Sequence, residues 1–204
     1  MVRNLNPEKR EKFLNAALKL FVENGVQNTT TAAIAQEAGT AAGTLFLYFP
    51  TKQALINELV LEIGRQHLAH MQTLLKPKRS VMDTFIAIWQ GSIHWFLENQ
   101  HAYLFLQQVR NANLIDEAIV QQTGSFFIYY YEAIQRGHAE GSIKQLPLEM
   151  IGEYLYQDIV AVMNILRVQT EPSLQKEIIR QGFEIFWDGI RKGTGSDQSS
   201  AVEV

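Results

Sequence analysis

Thr44 and Tyr48 stand four residues apart, and Lys52 follows after another four. If the first two share a helix, a hydroxyl and a phenol reach the same flank, because positions i and i+4 lie one turn apart. Lys52, beyond Pro50, falls at the start of a further helix, where its ammonium and the helix end can act on one phosphate. Groups of this kind hold a phosphate diester by hydrogen bonds and charge without reacting with it. The preceding Ala41, Ala42 and Gly43 leave a small face able to approach base edges and touch thymine methyl groups. The stretch around them, TTAAIAQEAGTAAGTLFLYF at 30–49, has one charged residue, Glu37, and no Lys or Arg. Affinity must then come from hydroxyls, from the backbone N–H groups that open a short helix at Thr30–Thr31, and from flanking cations at Lys9, Arg10, Lys12 and Lys52.

No constellation for bond-making chemistry accompanies these residues. The sequence has no HExxH or GxSxG, no glycine loop that would cradle a nucleotide, and no cysteine. His67 and His70, at i and i+3, could share a metal, but no nearby residue completes a site, and both read as surface residues. The expectation is a non-enzyme with no cofactor and no metal.

The elements that must position these groups are helices. An apolar period of 3.6 residues recurs along the chain, and no segment sustains two-residue alternation. Phe13, Ala16, Ala17, Leu20 and Phe21 share one face of a helix that starts behind Pro7 and ends at Gly25. Two short helices hinged at Ala38–Gly39 follow, the first capped by Thr30, the second running to about Phe49. Leu45, Phe46 and Phe49 are expected in the core, against Phe13, Leu20 and Ile34. A long helix runs from Lys52 toward Leu75, with a loop at KPKRS. Further helical segments fall at 80–98, 101–110, 113–138, 147–169 and 172–191. The expected fold class is all-α, with a three-helix helix-turn-helix domain at 1–55 and a helical bundle at 56–192, about nine helices in all. The small, polar residues 193–204 read as a disordered tail.

Residues 1–55 hold six Lys/Arg against four Asp/Glu, and the remainder twelve against seventeen. A slightly basic head on an acidic body suits a phosphate-binding module on a regulatory body. The net charge of −3 argues against a generic nucleic-acid coat protein. The first residues lack the apolar stretch of a secretory signal, and the longest apolar run, FFIYYY, is far too short to span a bilayer. A cytoplasmic location with no membrane partner is expected.

Residues 29–55, TTTAAIAQEAGTAAGTLFLYFPTKQAL, fit the pattern TTxxxIAxxAGxxxGTLxxYFxxKxxL. This resembles the signature of the tetracycline-repressor (TetR) family of transcriptional regulators, and AALKLFVENG just before it is similar to that family's first helix. The resemblance implies phosphate contacts at Thr29, Thr30, Tyr48 and Lys52. It implies base-facing positions at Thr40, Ala41, Ala42, Gly43, Thr44 and Leu47. Many members carry Ser or Thr at the position of Ala41, Lys or Arg at Ala42, and His, Arg or Asn at Leu47. All three are apolar here, so polar readout of bases is thin and the operator sequence is not legible. The resemblance further implies a homodimer on a palindromic double-stranded DNA operator, most often a repressor, with a small-molecule effector bound in the C-terminal bundle. The alternative is a helical small-molecule carrier whose N-terminal helices only pack. A carrier has no reason to place Thr44, Tyr48 and Lys52 on one exposed flank.

In the bundle, Trp89, Phe105, Gln108, Tyr130, Tyr156 and Asp158 combine aromatic walls with a few polar tips, the mixture of an amphipathic ligand site, with His94 beside them. Plain core is the competing role for the aromatics. Asp158 falls within the apolar stripe of Ile151, Leu155, Ile159 and Val162. Buried, it needs a partner; at the stripe's edge it is solvated. An apolar or aromatic ligand is expected, or a cationic one if Asp158 is ionised and faces the cavity. Gly182 and Gly189 lie one heptad apart on the last helix. A mid-helix glycine costs ~1 kcal/mol against alanine, and close approach of two subunits is one reason to keep it. Ile178, Gly182, Phe183, Phe186 and Gly189 are therefore expected at a homodimer interface.

Overall fold

The computed structural model describes residues 5–75 and 80–193; residues 76–79 of the expected KPKRS loop and 194–204 of the tail expected at 193–204 lie outside the described residues. Helix α1 (Pro7–Asn24) starts where the Asn6 side chain accepts hydrogen bonds from the N–H groups of Glu8 and Lys9, with Pro7 in the first turn, where a missing donor costs nothing. Helix α2 (Thr31–Glu37) opens under Thr30, whose Oγ1 accepts from the Ala33 N–H at 3.1 Å. Gly39, at φ 68°, turns the chain into α3 (Ala42–Tyr48), a conformation that L side chains rarely adopt. Thr51 then caps α4 (Lys52–Leu74) by accepting from the Ala54 N–H.

Beyond these run α5 (Val81–Glu98), α6 (Gln100–Asn111), α7 (Glu117–Gly124), a 3-10 turn (Ser125–Phe127), α8 (Ile128–Glu140), α9 (Leu148–Leu166) and α10 (Pro172–Ile190). The fold is all-α, and among the described residues the only extended pairing is an isolated bridge between Ile143 and Arg191. The run read as one helix over 113–138 is two helices separated by the 3-10 turn. The turn seats Phe126 against Gly64 so closely that a Cβ on Gly64 would meet the ring at 2.4 Å.

The chain forms two compact units, Met1–His70 with Trp95–Phe127, and Met71–His94 with Ile128–Val204. Helices α4 and α5 each contribute to both. In the first unit, Phe13, Phe21, Ile34, Leu45, Phe49 and Leu55 share one core with Ala102, Phe105 and Val109 of α6. The Phe21 and Phe105 rings stack at 5.8 Å and 13°. Gln108 Oε1 accepts from the Val26 N–H at 3.2 Å. Phe105 and Gln108, read from the sequence as ligand contacts, are thus engaged beneath α1. His67 is also corrected: it is buried, stacked on Phe96 and edge-on to Trp95. Burial, and then neighbouring His70, push its pKa down to about 4, so the imidazole stays neutral at ordinary pH.

In the second unit, Trp89 is fully buried, with its indole N–H donated to the Ile179 carbonyl at 2.8 Å and its ring stacked on Phe186. A Cβ on Gly182 would meet Val162 Cγ2 at 2.6 Å and Trp89 Cζ2 at 2.8 Å. The glycine is therefore required within its own chain, where α9 and α5 close on α10. Gly182→Leu forces a side chain into that contact, and overpacking should lower stability by about 1–3 kcal/mol in urea denaturation. A wild-type midpoint would mean that α10 parts freely from α9 here.

Candidate nucleic-acid interface

Two inward side chains hold α3 in place. It has seven residues, and Ala41 offers no side-chain cap, so it depends on packing for its stability. Leu45 is fully buried and Phe49 nearly so, with the Phe49 ring edge-on to Phe13 at 6.5 Å. Ala41, Ala42 and Gly43 face solvent, and Thr44 is half-buried. Leu47 is 52% exposed. Phe46, read from the sequence as core, is 46% exposed. The i, i+4 geometry explains the error: with Leu45 and Phe49 inward, Phe46 turns away.

Tyr48 packs its half-buried ring on Phe13 at 5.4 Å, and its phenol oxygen accepts from the Asn6 N–H at 3.1 Å. That bond uses an acceptor site and leaves the O–H proton to donate outward. Lys52 reaches the Gln27 carbonyl at 3.2 Å, and partial burial lowers its pKa. Thr40 is half-buried, and its N–H and hydroxyl both turn to the Ala35 carbonyl. Thr30 is exposed as well as capping.

Thr29 differs from its expected role. It is 4% exposed, and its hydroxyl lies 3.0 Å from the Leu20 carbonyl and 2.9 Å from that of Gly25. It closes the end of α1 and offers no side-chain group to a phosphate. Arg10 is likewise bound, to Glu58 on α4, and Glu58 also accepts from Arg65 at 2.7 Å. Lys19 pairs with Glu37 at 2.6 Å, tying α1 to α2. These ion pairs brace the helices; none was legible from spacing alone.

The remaining effector candidates lie in the second unit. Tyr130 is buried, packs at Gly152 and is edge-on to Phe85, and its hydroxyl has no hydrogen-bond partner among the described residues. Tyr156 and Asp158 are half-buried, and burial raises the Asp158 pKa. His94 is exposed. Of the five interface candidates, Phe183 and Phe186 are buried in their own chain, Ile178 is half-buried and Gly189 is exposed. Other apolar residues are exposed here: Met150, Tyr154 and Ile165 on α9, Val168 in the turn after it, and Leu174 and Ile185 on α10. No group of three or more metal-binding side chains occurs among the described residues, and none of their helices is long and apolar enough to cross a membrane.

Two short helices about a glycine turn, braced by α1 and presenting a small-residue helix to solvent, form a helix-turn-helix DNA-binding module. Residues 13–59 match the family described as bacterial regulatory proteins, tetR family, and residues 62–192 match the tetracyclin repressor-like C-terminal domain. The chain belongs to the TetR family of DNA-binding transcriptional regulators, which are not enzymes and which answer to small-molecule effectors. It is similar to the HTH-type transcriptional repressor KstR2 of Mycolicibacterium smegmatis, 21% identical over 152 residues, covering 72% of this chain and 74% of that one. The crystal structure of a TetR-family regulator from Shewanella sp. PV-4 superposes with a TM-score of 0.85 at 25% identity, over 91% of this chain and 99% of that one. That of FadR from Bacillus subtilis in complex with stearoyl-CoA gives 0.71 at 19% identity, over 88% and 98%.

Proposed function

We propose that the chain is a homodimeric repressor that holds a palindromic operator in the cytoplasm and releases it when a small apolar or aromatic molecule binds. The observation that carries this reading is α6. It lies within the C-terminal family region, yet it completes the core under α1 through Phe105, Val109 and Gln108. A ligand that favours one placement of α6 or α4 therefore shifts the support of α3, and a ligand with unequal affinity for two placements is what allosteric release requires. Tyr130, with its unpartnered buried hydroxyl, and Tyr156 and Asp158 are the side chains assigned to the effector. The complex of FadR with stearoyl-CoA is in keeping with an apolar one.

The second copy is assigned to the exposed apolar residues of α9, of α10 and of the turn between them, at Ile165, Val168, Leu174 and Ile185. Two such helix pairs facing one another bury both faces at once. The dimer would set two recognition helices about 34–36 Å apart, or somewhat more. Selection of genomic fragments with the purified protein should return palindromic sites, and titration with apolar compounds should release them. A protein with no preference for any fragment over random duplex would end this reading.

Thr30, Tyr48 and Lys52 are assigned to phosphates, and Ala41, Ala42, Gly43, Thr44 and Leu47 to base edges, with Thr40 supporting the turn. Tyr48→Phe removes the outward donor, together with the acceptor of the Asn6 N–H, without opening a cavity. It should weaken specific and random DNA alike by about two- to tenfold in gel shifts. A change in sequence preference at constant overall affinity would move Tyr48 to the base-reading set.

A further inference from the structure

We infer that α3 reads its half-site chiefly through thymine methyl groups, with Phe46 and Leu47 as the specificity-determining side chains. The inference rests on the operator-binding reading above. Ala42 and Phe46, and Gly43 and Leu47, are i, i+4 pairs that make up the outward strip of α3. Phe46 and Leu47 are about half exposed, Ala42 and Gly43 are exposed, and a Cβ on Gly43 would meet nothing within 4 Å. No side chain of this strip can donate or accept a hydrogen bond. Thr44 and Tyr48 stand at its margin, half-buried, and Tyr48 is engaged by Asn6.

The floor of the major groove offers one apolar group, the C5-methyl of thymine; the other distinguishing groups are hydrogen-bond donors or acceptors. An apolar strip set against guanine O6 or cytosine N4 takes water from those groups and returns no bond. Set against thymine methyls, it buries apolar surface on both sides. Phe46 is the largest side chain available for this, and its outward turn makes the strip an apolar surface as well as a small one.

The test uses the full chain. Duplexes selected in vitro should show thymines in the part of each half-site under α3. Each thymine is then replaced by deoxyuridine, which keeps base pairing and every hydrogen-bonding group and removes only the methyl. Affinity should fall about fourfold for each contacted methyl, the equivalent of one buried methyl group. Phe46→Ala and Leu47→Ala, both at exposed positions, should keep wild-type helicity and lose the discrimination between thymine and uracil. Leu47→Asn supplies an amide suited to adenine and should change the selected base at one position. Equal affinity of the wild type for thymine and uracil duplexes overturns the inference and leaves operator binding standing. Discrimination that survives in both alanine variants overturns it as well. Failure to prefer any duplex over random DNA overturns the operator reading itself.

Discussion

Phe105→Ala should cost about 3–5 kcal/mol of stability and should abolish specific DNA binding at physiological temperature, although Phe105 lies far along the chain from the helix-turn-helix. The ring is fully buried and stacks on Phe21, between Ala102 and Val109 on its own helix and the inner face of α1. Truncation leaves a cavity that two rigid helices cannot close. The loss is a large part of the roughly 5–15 kcal/mol that holds a typical domain together. Chemical denaturation should show an earlier transition, and gel shifts should show weak, non-specific binding. Phe105→Leu keeps most of the volume and should recover most of both. If Phe105→Ala lost less than about 1 kcal/mol, α6 would be a bystander to the head, and the route proposed for effector control would go with it.

Ile185→Asp should convert the proposed dimer to monomers and lower operator affinity by about a hundredfold or more. Ile185 is 72% exposed on α10, so the substitution removes nothing from the chain's own core. It sets a carboxylate on the proposed apolar face, where a second copy would have to desolvate it without a partner. Two half-sites bound by one dimer gain about 10²–10⁴ over independent monomers, and that gain disappears with the dimer. Sedimentation should show one chain per particle while circular dichroism keeps its helical amplitude. A dimer that persists would place the interface elsewhere.

The sequence was most readable where the pattern was local. Pro7, Thr30, Gly39 and Thr51 each mark a helix boundary by a property of one residue, and each stands at one. Leu45 and Phe49 were legible as inward positions because a four-residue spacing on so short a helix leaves few alternatives. Phe46 was misplaced because apolar character alone does not fix which way a side chain turns. For Phe105, Gln108 and Trp89 the groups they meet were not legible. Periodicity shows that side chains share a face, and it is silent on what faces them. The same holds for Gly182: its smallness was visible, while the Val162 and Trp89 side chains that require it come from other helices. The ion pairs of Arg10 with Glu58 and Lys19 with Glu37 depend on contacts between helices that no local pattern encodes.

The packing of α6 beneath α1 bears on how such a protein can be rearranged by evolution or by engineering. The matched N-terminal segment ends at residue 59, so a chimera cut there would carry Phe21 and Val26 without the side chains that cover them. Its recognition helix would be intact in sequence and poorly supported in fact. Exchange of DNA specificity between relatives must therefore either move α6 with the head or be confined to the outward residues of α3. On this scaffold the unit of inheritance for operator choice is a helix face and not a domain.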